Sequence, residues 1–110
     1  MRRKPWSANQ KQILEVLHAL IDARIPVTLQ GKQGPGLRTR IHTVHYHRGM
    51  AYLLLVKPRG MNDSRLVREV LFKMQGLPVL GFSCPITRET EHLLATMMPR
   101  TVYQLELREH

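Results

Sequence analysis

Three histidines, His42, His45 and His47, crowd into six residues of this 110-residue chain. Imidazole is a common ligand of transition metals, so this cluster is the first place to look for chemistry. Side chains alternate along an extended strand, which places His45 and His47 on one face and His42 on the other unless the backbone is irregular there. Two imidazoles, with no Asp, Glu or Cys nearby in sequence, leave a tetrahedral site incomplete. A polar strand face is therefore expected and a metal is not, with His45 and His47 the only weak candidates. Cys84 is the only cysteine. It makes no intrachain disulfide, which fits a cytoplasmic location, and within Phe-Ser-Cys-Pro it reads as a small core residue. No Ser, Thr or Cys stands in a nucleophile-elbow context. Asp63 and Ser64 are better explained as a helix cap than as part of a triad. The acidic residues are sparse and dispersed, so no paired-carboxylate site emerges. The chain is expected not to be an enzyme, and no cofactor is expected.

Binding is the stronger theme. The formal net charge is +9, from 17 Lys and Arg against 8 Asp and Glu. Residues 1–60 carry eleven basic and two acidic side chains, and residues 61–110 carry six of each. The excess thus belongs to the N-terminal half, and such a field attracts an acidic protein surface or a polyanion. Arg38, Arg40, Arg48, Lys57 and Arg59 are expected to line one surface, with Lys32 at a neighbouring turn and Tyr46 and Tyr52 nearby. An acidic protein partner is the first expectation. The alternative is a small basic barrel that holds single-stranded nucleic acid on its aromatic residues. Against it, aromatics make up only 5% of the chain, and the usual RNA-binding strand motifs are missing.

These residues are positioned by a predicted hairpin. Leu37 to Pro58 contains two β-prone runs around Arg48-Gly49, where a glycine supplies the positive φ of a tight reversal. In the first arm Arg38, Arg40 and His42 interleave with Leu37, Thr39, Ile41 and Thr43. Ile41 and Val44 cannot both face a core on a regular strand, so a β-bulge is expected near Thr43-Val44. The second arm, Ala51 to Val56, is apolar at almost every position, as in a strand covered on both faces.

Around the hairpin, residues 1–7 read as a flexible basic arm and residues 8–108 as a single domain. Ser7 with Gln10 matches a capping box for a helix from about Ala8 to Ala23. Ile13, Leu14, Leu17, Leu20 and Ile21 form its apolar stripe, with Glu15, His18 and Asp22 opposite. Val27–Gln30 reads as a strand. Gly31 to Gly36 is a turn rather than a phosphate-binding loop, because a strand follows where a helix would have to begin. A short helical turn is expected over Arg65–Arg68, then strands over Val70–Met74, Val79–Cys84 and Thr101–Leu107. Gly81 inside its run predicts a bulge or a close backbone approach. Residues 90–98 fit helix or strand equally. No apolar run approaches the length of a membrane span, and no secretion signal follows the basic N-terminus.

The run Thr39-Arg-Ile-His-Thr-Val, then Gly49-Met-Ala-Tyr-Leu-Leu-Leu, then Asn62-Asp-Ser-Arg-Leu66 resembles the N-terminal domain of YcgR-like flagellar brake proteins. So do Val70-Leu-Phe72, Gly76-Leu-Pro-Val79 with Phe82, and the closing Pro99-Arg-Thr-Val-Tyr-Gln. The resemblance covers residues 10–108. It implies a small antiparallel split β-barrel of about six strands with an N-terminal amphipathic helix, a mainly β (α+β) fold. It also implies a regulatory role in bacterial motility, beside a PilZ domain that binds cyclic di-GMP. That family's nucleotide contacts come from a linker with two arginines and from the PilZ domain. Here only Arg108 matches the first linker arginine, and Asn62-Asp-Ser64 lacks the required glycine. Cyclic di-GMP is therefore not expected to bind this chain alone.

Overall fold

Asn9 starts the helix. A computed structural model describes residues 2–106 and places α1 at Gln10–Asp22. The Asn9 Oδ1 accepts from the amides of Lys11 at 3.0 Å and Gln12 at 3.2 Å, satisfying two of the first turn's free donors. Ser7, the expected cap, instead accepts from the Asn9 amide through Oγ at 3.1 Å. It also ends a strand, β1 (Arg2–Ser7), which pairs antiparallel with β9 (Val102–Glu106). The expected flexible arm is thus ordered, and the reason lies far away in sequence. The Arg3 guanidinium sits 2.9 Å from the Glu69 carboxylate and 5.5 Å from the centroid of the Tyr103 ring. Tyr103 donates its hydroxyl proton to the same Glu69. Burial first, then this bond to a carboxylate, pushes the Tyr103 phenol up to about 12.

The remaining strands are β2 (Pro26–Gly31), β3 (Leu37–His47), β4 (Met50–Val56), β5 (Val67–Lys73), β6 (Val79–Ser83), β7 (Arg88–Glu89) and β8 (Leu93–Met97). All neighbours are antiparallel, in the order β1-β9-β6-β5-β2-β3-β4-β8-β7. The mainly β fold with one helix is as expected. The six-strand barrel is not what forms: among the described residues, nine strands make one sheet whose edges, β1 and β7, do not meet. The additional strands are β1, the two-residue β7, and β8. Leu, Ala and Met in β8 favour helix, but burial decides its state. Leu94 lies opposite Leu55 and Thr96 opposite Leu53, and all four are inaccessible to solvent.

Arg48 and Gly49 make the tight turn between β3 and β4, with φ of 51° and 78°. Two consecutive positive φ values define the hairpin reversal whose twist matches the flanking strands. The bulge in β3 falls between Ile41 and Thr43, one position before the expected place, and His42 is the residue without a partner. Its consequence is a change of phase. Before it, even-numbered Arg38 and Arg40 are exposed; beyond it, odd-numbered His45 and His47 are, while Ile41 and Val44 both face the core.

One apolar cluster joins Ile13, Leu17 and Leu20 of the helix to buried residues of β2, β3, β4, β5, β6, β8 and β9, and Trp6 of β1 packs against it. The sheet curls around it without closing. β4 is less covered than its sequence suggests. Leu53 and Leu55 are fully buried, but Tyr52, Leu54 and Val56 on the other face are only half-buried. That second face lies under a groove rather than under protein.

A 3₁₀ turn (Ser64–Leu66) is capped by Asp63, whose Oδ1 accepts from the Arg65 amide at 3.0 Å. Beside it, Glu89 of β7 accepts from Lys57 Nζ at 2.5 Å and from the Ser64 hydroxyl. Lys57 first, then Ser64, holds the Glu89 carboxyl below its ordinary value of 4.5. A carboxyl lowered in the folded state stabilises it above the unfolded value, and that contribution is lost as pH falls through the folded value. Glu89→Gln is therefore expected to flatten the acid limb of the stability profile below about pH 4.5, read as a smaller fall in Tm between neutral and acid buffer than in wild type. An unchanged acid limb would show that the clamp is silent, as many exposed ion pairs are.

Candidate functional site

Arg38 and Arg40 stand two residues apart on the outward face of β3, opposite Thr28 and Pro26 of β2. Both are exposed, and neither joins an ion pair among the described residues. The period-two alternation that points Leu37, Thr39 and Ile41 inward is what aims them together. Arg38 flanks a shallow depression of about 430 Å³ across β2 and β5, whose floor includes Thr28 and Leu71 and whose far side carries Lys73. Among the described residues, no acidic side chain lines it. Lys73 escaped the sequence analysis because it lies 35 residues from Arg38 and is brought near only through β2 and β5. Its ammonium is partly engaged, donating to the carbonyls of Met74 and Leu77.

The other three expected cations do not join this pair. Arg48 sits at the hairpin tip, eight residues beyond Arg40 and so roughly 25 Å away along the strand. Lys57 continues the inward parity of Leu55 and is bound to Glu89. Arg59 lies in the turn beyond β4, outside the ladder. The aromatic residues expected beside them also divide. Tyr52 pairs with His45 on the outward face, whereas Tyr46 pairs with Ala51 on the other. The surface is an arginine pair with a lysine at its margin, not a five-cation face with a tyrosine platform. Arg108 lies outside the described residues.

Beyond the bulge, the same outward face forms a groove of about 500 Å³. His45 and His47 stand along one side, their rings stacked with centroids 6.3 Å apart and planes 15° from parallel. Leu54 and Ala95, paired across β4 and β8, make the floor, and Arg88, paired with Ala95, stands on the far side with Thr87. Tyr52 fills one end. Among the described residues, no group of three or more His, Cys, Asp or Glu is placed to hold a metal ion. His42 is the unpaired bulge residue, and Cys84 is buried in the core. Burial pushes the Cys84 thiol up to about 11, so its nucleophilic thiolate is scarce near neutral pH.

The sequence contained a usable signal for this groove. A bulge that brings Ile41 and Val44 to the same side must also turn His45 and His47 outward, and the hairpin register then sets Tyr52 and Leu54 beside them. Arg88 was not accessible to that reasoning, because a two-residue strand leaves no periodic trace. Among the described residues, no helix is long and apolar enough to cross a membrane. No family model, curated protein or solved structure matches the chain.

Proposed function

We propose that this chain is a non-catalytic regulatory module that docks on an acidic patch of a partner protein through Arg38 and Arg40. The observation that carries the proposal is their arrangement: two exposed arginines side by side on one strand, unpaired within the described residues, beside a depression that none of the described carboxylates lines. Guanidinium groups recognise carboxylates through paired hydrogen bonds, and an excess of positive charge steers an acidic partner to them. The resemblance to flagellar brake N-terminal domains suggests where such a partner belongs, among the components of the flagellar motor. A place in cyclic di-GMP signalling is part of the same proposal.

The test is charge reversal. Arg38→Glu with Arg40→Glu is expected to lower affinity for purified motor components at least ten-fold, since hydrogen bonds to charged groups contribute about 1.5–3 kcal/mol each. Wild-type binding should also weaken as salt rises. Equal capture of wild type and double variant at low salt would remove this surface from the proposal. Wild-type binding to mixed oligonucleotides with a steep salt dependence, and none to motor proteins, would replace it with the nucleic-acid reading.

A further inference from the structure

The geometry points to a second, independent site: the groove over β4 and β8 binds a small phosphate ester that carries a planar ring, of the nucleoside monophosphate class. It does not rest on the docking role of Arg38 and Arg40.

The polar lining selects an anion. Arg88 is exposed and in no ion pair among the described residues. Its neighbour Glu89, the next residue of β7, points to the other face and is engaged by Lys57 and Ser64. Among the described residues, no carboxylate lines the groove. Each imidazole of His45 and His47 offers an N–H donor, and the Tyr52 hydroxyl donates to the weak acceptor Met50 Sδ at 3.9 Å, a contact a phosphate oxygen can replace. The Thr87 hydroxyl donates to the Ala95 carbonyl at 3.1 Å and has only its lone pairs left. A guanidinium facing imidazole and phenol donors matches the oxygens of a phosphate, and Arg pairs with phosphate through two parallel hydrogen bonds.

The rest of the lining selects a ring. Leu54 and Ala95 give a half-buried apolar floor between flat walls, Tyr52 at one end and the stacked His45–His47 pair at the side. Stacking of a base on an aromatic side chain contributes about 1–3 kcal/mol and tolerates any base. A groove of about 500 Å³ falls within the range of small-ligand sites. A bare inorganic anion would leave the floor and Tyr52 unused. A metal cation would face the Arg88 charge with no carboxylate to offset it.

The test is a titration of the full chain with adenosine monophosphate, adenosine and inorganic phosphate, each followed by amide NMR shifts. The monophosphate is expected to move the amides of Tyr52, Leu54, Arg88 and Ala95 at millimolar concentration or below. Adenosine and inorganic phosphate should each bind more weakly than the monophosphate. Arg88→Ala is expected to weaken binding roughly ten-fold or more. His45→Ala provides a second surface variant that should also weaken it, and Arg38→Glu with Arg40→Glu should leave it unchanged. No shift with millimolar monophosphate overturns the site. So do shifts centred on Arg38 and Arg40, or inorganic phosphate binding as tightly as the nucleotide.

Discussion

Replacing Phe82 by alanine is expected to destabilise the protein by about 3–5 kcal/mol. Phe82 is the largest fully buried side chain. It sits in β6, opposite Val70 of β5, and its ring lies 6.2 Å from that of Phe72 at a tilt of 55°. Alanine removes the ring contacts and leaves a cavity that a cross-braced sheet cannot collapse to fill. Domains of this size are stable by about 5–15 kcal/mol in all, so the loss consumes a large part of the margin. The measurement is thermal or urea unfolding, with a Tm fall of more than about 10 °C expected. Phe82→Leu, which keeps much of the volume, should cost distinctly less. A fall under about 4 °C for Phe82→Ala would mean that the single apolar cluster is not the main source of stability.

The second large effect is expected one residue earlier, on the opposite face of the same strand. A Cβ on Gly81 would lie 2.7 Å from Leu71 Cδ2, 3.0 Å from Tyr103 Cε2 and 3.0 Å from the Val70 carbonyl oxygen. The first contact ends a flexible side chain and yields; the carbonyl belongs to the ladder and does not. Gly81→Val adds two more methyl groups toward the Tyr103 ring and is expected to cost about 1–3 kcal/mol, with Gly81→Ala at the lower end. Displacing Tyr103 breaks its bond to Glu69 and loosens β1, because Arg3 is held by the same carboxylate. An optical titration gives a separate readout, since the phenol raised to about 12 should fall back toward its ordinary 10.0. The sign for wild type follows. A phenol raised in the folded state stabilises it below the unfolded value, and that stability is lost as pH rises from about 10 toward about 12. If Gly81→Val leaves both the stability and the phenol titration unchanged, the close approach of β5, β6 and β9 at this point is wrong.

These two neighbours illustrate how far the sequence carries. Gly81 inside an apolar run signalled a bulge or a close approach. The ladder there is regular, and the close approach is what forms. The Arg48-Gly49 reversal, most of the α1 stripe (Ile13, Leu17, Leu20 and Ile21, with Val16 rather than Leu14 completing it) and the need for a bulge after Ile41 were legible for the same reason. Each is a local conflict or agreement between side-chain phase and backbone geometry, visible within a few residues. Of the candidate site, Arg38 and Arg40 were legible as a pair because strand alternation alone puts them on one face.

What the chain by itself determined is its phase: which residues of the helix and of the hairpin turn inward, and that positive charge gathers in the first sixty residues. Only the tertiary structure decided which distant strands become neighbours. It ordered β1 through Glu69 and Tyr103, made 93–97 a strand by burying Leu94 and Thr96 against β4, diverted Lys57 to Glu89, and set Arg88 across from two histidines. Those outcomes depend on contacts between residues tens of positions apart. Local propensity carries no record of such contacts, because the free energy that selects them comes from burial shared across the whole sheet.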